Sequence, residues 1–226
     1  MSEKIYLNDL VIETTRRCQL QCEHCLRGDA ENVDIPTRYI RELLKNVDYI
    51  GTITFTGGEP FLNPQAIHNF IDICKEYGIE VGSFYIATNA LVFEEDQQHK
   101  ELSDAGLLAV IWLYSFCTDN EISSVDISTD QFHYGWLSED NPLKIFSFVR
   151  DKGEILYENC ISEGRAEGFS NRFETNKIEP DDLMVYLNTE GKILWNCNLS
   201  YETQREHGVS IAQGLKIIKA AQRVTA

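Results

Sequence analysis

No stretch of this 226-residue chain approaches the ~18–20 uninterrupted apolar residues that a membrane span requires. The best candidate, AGLLAVIWLYSFC at 105–117, is shorter and reads as buried helix. Basic residues are also scarce: 20 Lys and Arg stand against 36 Asp and Glu, for a net charge of −16. Nucleic-acid binders neutralise phosphates with clustered cations, so this balance argues against general DNA or RNA binding. It leaves room for a small nucleotide in a local pocket. The opening MSEKIYLNDL lacks the basic-then-apolar pattern of an export signal, and no apolar segment follows the adjacent Arg16 and Arg17. The expected location is therefore the cytoplasm, where disulfides are rare and clustered cysteines point to metal or redox chemistry.

Internal repeats and low-complexity tracts are missing too, which excludes solenoid and disordered classes. Hydrophobic content of 43% and charged content of 25% are globular values. The length suits one core. The expected division is a main unit over 1–200 with a short extension, 201–226, packed on the same domain. The acidic surface serves solubility and would also steer a basic peptide or protein partner.

What is present alternates. YLNDLVIETT and YIGTITFTGG read as strands ending in loops, as do EVGSFYIATNA and EISSVDISTDQFH. Helical spacing follows Pro36 through residues 37–48. It recurs in NPQAIHNFIDICKEYG, with Asn63 as N-cap, Pro64 at the first position and Gly78 as stop. Further helices are expected over 96–116, 142–152 and 211–223. A strand is expected at EILYENCI (154–161), and a strand and hairpin surround NTEG (188–191). Strand–helix alternation of this length predicts an α/β fold: a partial (β/α)6 TIM-like barrel with parallel strands and a short C-terminal hairpin and helix. In such barrels the loops leaving the strands' carboxyl ends hold the chemistry.

Three of the seven cysteines fall at C-x3-C-x2-C, as Cys18, Cys22 and Cys25. A structural zinc site closes with four ligands, commonly two CxxC pairs, and no second pair follows. Cys74, Cys117, Cys160 and Cys197 are scattered singly. His24 is too near its neighbours to chelate comfortably with both, although a zinc site completed by it or by a distant cysteine stays open. Three thiolates on a tight loop also suit a [4Fe–4S] cluster, each binding one corner iron and leaving the fourth open. Cys74, in FIDICKEYG, reads as core. A second cluster on Cys117, Cys160 and Cys197 stays open only as an alternative, since these scattered singles lack the density of a cluster-binding segment.

The triplet with its TRRCQLQC lead-in resembles the signature of the radical S-adenosylmethionine (SAM) superfamily. Further family-like motifs follow in order: TGGEP at Thr56–Pro60, ATNA at Ala87–Ala90, ISTDQFH at Ile127–His133 and EGRA at Glu163–Ala166. The resemblance implies that Cys18, Cys22 and Cys25 hold a [4Fe–4S] cluster whose fourth iron binds the amino and carboxylate groups of SAM. It places the His24 backbone at the adenine and Gly57, Gly58, Glu59 and Pro60 at the methionine end. Thr88, Asn89, Ser128 and Asp130 fall near ribose or carboxylate, and Arg165 is a clamp on a carboxylate or ring. Among other side chains, His133 is the candidate catalytic group, with packing beside Phe132 as the alternative role.

The implied activity is reductive cleavage of SAM to a 5′-deoxyadenosyl radical that abstracts hydrogen from substrate. The motifs look most like the compact branch that modifies peptides or proteins without a cysteine-rich auxiliary-cluster domain. Alternatives are a small metabolite or nucleotide as substrate, a glycyl-radical activase, and a non-catalytic zinc or iron–sulfur scaffold. An electron donor such as flavodoxin or ferredoxin is the implied partner.

Overall fold

The computed structural model describes residues 5–93, 123–133, 141, 149–151, 160–168 and 184–225. Its organising element is β1 (Ile5–Thr15), in which burial alternates at first and becomes continuous from Leu10 onward. Continuous burial is what a strand inside a covered parallel sheet requires. β1 pairs in parallel with β2 (Val47–Gly57) on one side and with β6 (Met184–Leu187) on the other. Beyond β2 the sheet continues in parallel through β3 (Glu80–Thr88), β4 (Ser123–Ile127) and β5 (Val149–Asp151). At the opposite edge β7 (Lys192–Leu194) and β8 (Val209–Ser210) are antiparallel. The eight strands run β5-β4-β3-β2-β1-β6-β7-β8 and do not close. Six parallel strands in an open sheet are the partial α/β barrel that the alternation predicts, with the hairpin edge added by NTEG.

Helix α1 (Thr37–Leu44) buries Ile40, Leu43 and Leu44, and α2 (Pro64–Tyr77) buries Ile67, Phe70, Ile73 and Cys74. These side chains join Ile12, Ile53 and Phe55 from the sheet in one core. Cys74 is thus a core thiol. Two further helices follow β7: α3 (Tyr201–His207), capped by the Ser200 hydroxyl, and α4 (Ile211–Thr225). Among the described residues no helix is long and apolar enough to cross a membrane.

Several elements depart from the sequence pattern. The helix expected over 37–48 stops at Leu44 because Val47 already pairs with Ile5 in β2. Asn63 occupies the N-cap position of α2 but makes no side-chain cap; its amide donates instead to the Thr14 carbonyl (2.8 Å), fastening the helix to β1. Val149–Asp151, expected at the end of a helix, forms β5 against Val125 and Ile127. A short apolar window does not separate helix from buried strand, and the partner β4 decides it. Neither α3 nor β8 was expected: YETQREH buries only Tyr201 and Gln204, too few to register as an amphipathic pattern. The helix over 96–116, residues 142–148 and most of the strand over 154–161 lie outside the described residues, and Cys160 and Ile161 carry no strand.

Candidate functional site

β1 delivers the chain into the cysteine loop through a stem held from both ends. The Arg16 amide donates to the Val33 carbonyl (2.8 Å), and its carbonyl accepts from the Glu31 amide (3.0 Å). Between them the loop turns twice, with Cys25 N–H on the Cys22 carbonyl and Gly28 N–H on the Cys25 carbonyl (3.1 and 3.2 Å). Sequence-distant segments fix its back. Arg165 donates its amide to the Cys25 carbonyl (3.0 Å), its Nε to the Cys22 carbonyl (3.0 Å) and its Nη1 to Asp29 (2.9 Å). Gly164, at φ +58°, lies so near that a Cβ there would stand 2.5 Å from both the Leu26 carbonyl and the Gly28 nitrogen. The Tyr201 amide donates to the Arg27 carbonyl (3.1 Å).

Under this loop is a knot of buried charge. Arg16 is fully buried and donates to Glu13 (3.0 Å), Glu31 (2.9 Å), Glu190 (2.8 Å) and Gln204 (3.2 Å), with its guanidinium 4.4 Å from the Tyr201 ring centre. Burial opposes that charge, but Glu13, Glu31 and Glu190 outweigh it and hold the guanidinium firmly protonated. Glu13 also accepts from the Tyr186 hydroxyl (2.9 Å) and from the Thr189 amide and hydroxyl (2.9 and 3.0 Å).

At the end of β2 the double glycine serves the protein's own backbone. A Cβ on Gly57 would lie 2.1 Å from the Thr15 carbonyl and one on Gly58 2.2 Å from the Arg17 carbonyl. With no Cβ, Gly58 and Glu59 donate their amides to Thr15 and Arg17 (both 2.8 Å), so β2 closes directly against the cysteine lead-in. Glu59 is turned inward rather than toward the cavity. Its carboxylate accepts from Phe61 N–H (3.0 Å), Thr88 Oγ1 (2.8 Å) and Asn89 N–H (2.8 Å). Burial without a cation pushes its pKa up to about 7, more than these donors and His133 offset. Pro60 is buried at the head of the 3-10 turn Pro60–Leu62. Asn89 points its amide at the Cys18 sulfur (3.7 Å), which also accepts from Leu20 N–H (3.4 Å).

The chain after β4 supplies the remaining wall. Ser128 N–H donates to the Thr88 carbonyl (2.9 Å). Asp130 is almost wholly buried and accepts from Phe132 N–H (3.0 Å), while His133 Nδ1 lies 2.9 and 2.8 Å from its two oxygens. The His24 ring stacks on Phe132 (4.2 Å, 16°) and meets His133 edge-on (5.3 Å).

One cavity of ≈ 520 Å³ gathers most of the predicted residues. Cys18, Cys22, Cys25, His24, Gly57, Gly58, Thr88, Asn89, Ser128, His133 and Arg165 line it; Glu59, Pro60 and Asp130 stand behind its wall. Of the other cysteines, Cys197 also lines it, Cys160 is buried and Cys117 lies outside the described residues. Burial, followed by the neighbouring Cys25, Cys18 and Asp130, pushes the Cys22 thiol up to about 12. Burial likewise raises Cys18. Thiols held near one another against ionisation are what a cationic metal group relieves when it replaces their protons. Three thiols on one cavity are the soft donor set that zinc or an iron–sulfur cluster takes.

Sequence reasoning missed the knot. Glu13 and Arg16 were visible as a polar run at the end of an apolar strand, but Glu190, Gln204 and Tyr201 carry no local signal that they meet there.

Residues 12–114 match the family model of the Radical SAM superfamily. Two uncharacterized proteins of Methanocaldococcus jannaschii are similar. One is 32% identical over 93 residues, covering 39% of this chain and 32% of the relative. The other is 33% identical over 107 residues, covering 46% and 34%. The chain therefore spans about a third of the length of these curated relatives. Among solved structures, Streptococcus suis SuiB bound to precursor peptide SuiA matches with 14% identity and a TM-score of 0.38, over 85% of this chain and 60% of SuiB. anSMEcpe with bound AdoMet and Cp18Cys peptide matches with 10% identity and a TM-score of 0.43, over 85% and 74%.

Proposed function

From the premise that this chain carries a radical SAM superfamily domain over residues 12–114, we propose that it is an enzyme that cleaves SAM reductively and abstracts hydrogen from a substrate. Cys18, Cys22 and Cys25 hold one [4Fe–4S] cluster in this reading. The cluster, when bound, supplies the electron that divides SAM into methionine and a 5′-deoxyadenosyl radical. The observation that carries the proposal is the convergence of the three thiols with Gly57, Gly58, Thr88, Asn89 and Ser128 on one cavity.

Each residue then has its own task. Arg165 and Gly164 hold the carbonyls of the cysteine loop so that its three sulfurs face inward. The Gly57–Gly58 backbone forms the floor for the methionine end, and Glu59 acts from behind the wall by fixing Thr88 and Asn89. Ser128 and the Asn89 side chain offer polar groups to ribose or carboxylate. Asp130 orients His133 rather than meeting SAM itself.

For substrate we favour a peptide or protein: the open sheet leaves access from the side, and the chain's charge of −16 attracts basic segments. An electron donor such as flavodoxin or ferredoxin completes this reading as the partner that reduces the cluster. In this reading residues 201–226 pack on the same domain as 1–200, supported by the contacts of Gln204 and Tyr201 with Arg16.

Anaerobic reconstitution tests the proposal. About four irons and matching sulfide per chain are expected, with 5′-deoxyadenosine formed from SAM only when dithionite is present. One bound zinc and no 5′-deoxyadenosine would overturn it.

A further inference from the structure

At one corner of the cavity Asp130 brings negative charge near Cys22 from behind the wall, and the Arg165 guanidinium acts there in the opposite sense. Within this corner two imidazoles meet a carboxylate that is only 1% exposed. His24 comes from the cysteine loop, Asp130 and His133 from the turn after β4. The ligating atoms of all three lie within 4.8 Å of one another. His133 Nδ1 stands 2.8 and 2.9 Å from the Asp130 oxygens. That is close to the separation of about 3 Å between adjacent ligands bound to one ion at ~2.1 Å. Packing orients both rings: His24 lies flat on Phe132, and His133 presents an edge to it. The contact between His133 Nδ1 and the Asp130 carboxylate is the place a cation would take.

We propose that His24, Asp130 and His133 form a second metal site in the cavity, taking a divalent first-row cation such as zinc or ferrous iron. Two imidazoles and one carboxylate are the donor set these ions favour, and three ligands leave coordination positions open. His24 and His133 both line the cavity, so the open positions face it. The ion would hold an oxygen of the substrate, from a carboxylate, carbonyl or hydroxyl group, beside the place where the SAM-derived radical forms. That last role rests on the function proposed above; the metal site itself does not.

The test uses zinc and the cluster-loaded protein. Reconstituted enzyme is incubated anaerobically with Zn²⁺, desalted and analysed for zinc and iron together. One zinc per chain is expected with the iron content unchanged. Asp130→Asn and His133→Ala should each weaken zinc binding at least tenfold while retaining iron. His24→Phe, which keeps the stacking on Phe132, should do the same. Circular dichroism of each variant separates a lost ligand from a lost fold. The Cys18→Ser/Cys22→Ser/Cys25→Ser protein provides a cluster-free sample that should still bind zinc, so a failure of the cluster assignment is told apart from a failure of this site. No zinc beyond trace, zinc gained only as iron is lost, or zinc retained by all three single variants would overturn the proposal.

Discussion

Glu13, on β1, and Glu59, just past the end of β2, are two buried carboxylates of one site, and the protein treats them in opposite ways. Glu13 lies beneath the cysteine loop against a buried cation, Arg16, whose remaining donors reach Glu31, Glu190 and Gln204. Glu59 lies behind the cavity wall with neutral donors alone: two backbone amides and the Thr88 hydroxyl. A buried carboxylate stays ionised at low cost only when a charge opposes it, so burial shifts Glu59 toward its neutral form. The difference has a structural logic. Beneath the loop, segments from β1, the loop exit, the NTEG turn and α3 must be held together, and a charged centre with many directed donors can do this. Behind the wall Glu59 ties the Pro60–Leu62 turn to the end of β3, and three neutral bonds suffice.

The largest expected effect comes from breaking the charged side of this comparison. Arg16→Met leaves Glu13 buried with its neutral donors but no cation, and should cost about 3–5 kcal/mol in chemical denaturation. Adding Glu13→Gln removes the stranded charge. The double variant should recover a substantial part of that loss, a coupling that a thermodynamic cycle measures. If Arg16→Met and the double variant unfold at the same denaturant concentration, the knot is not held by charge.

The neutral side gives a pH dependence instead. Glu59 gives up its proton near 4.5 when unfolded and near 7 when folded. Between those values the folded state binds more protons, so its contribution to stability is complete below pH 4.5 and declines as pH rises to about 7. The decline amounts to about 3 kcal/mol at most. In Glu59→Gln this decline should vanish, so that the gap between wild type and variant closes or reverses from pH 5 to pH 8. Parallel curves for the two proteins would show that Glu59 ionises as easily as in water.

Arg165→Ala should have the smallest effect on folding, about 1 kcal/mol, since its ion pair with the exposed Asp29 is weak and one bond to the Cys22 carbonyl is lost. Its larger consequence should be in cluster loading, read as iron retained after desalting. Undiminished iron would remove Arg165 from the support of the loop.

The same contrast explains how much the sequence discloses. The strands β1, β2, β3 and the helix α2 are legible because their apolar spacing and their Pro, Gly and Asn punctuation are local. The ordered motifs place eleven candidate residues on one cavity, most of them at or after the ends of β1, β2, β3 and β4, while Arg165 comes from the 3-10 turn Gly164–Ala166. Glu59 reads in sequence as a group at the methionine end, and is found turned inward on Phe61, Thr88 and Asn89 instead. The Arg16 knot is not legible: Glu190 and Gln204 join Arg16 from turns and helices whose own sequences say nothing of it. Similarly, the role of Gly57 and Gly58 was legible as a need for close approach, but the partner is the carbonyl backbone of Thr15 and Arg17, which only the parallel register of β1 and β2 brings near. Asp130 reads as an outward ribose acceptor in sequence and is found buried on His133, because the turn after β4 folds back on itself.

In the proposed site three cysteines hold four irons and leave one open to SAM. Mössbauer spectroscopy of protein reconstituted with ⁵⁷Fe, with and without SAM, addresses this arrangement directly. One iron in four is expected to change its signal on adding SAM while the other three keep theirs. A spectrum unchanged by SAM, or one in which all four irons respond alike, would contradict it.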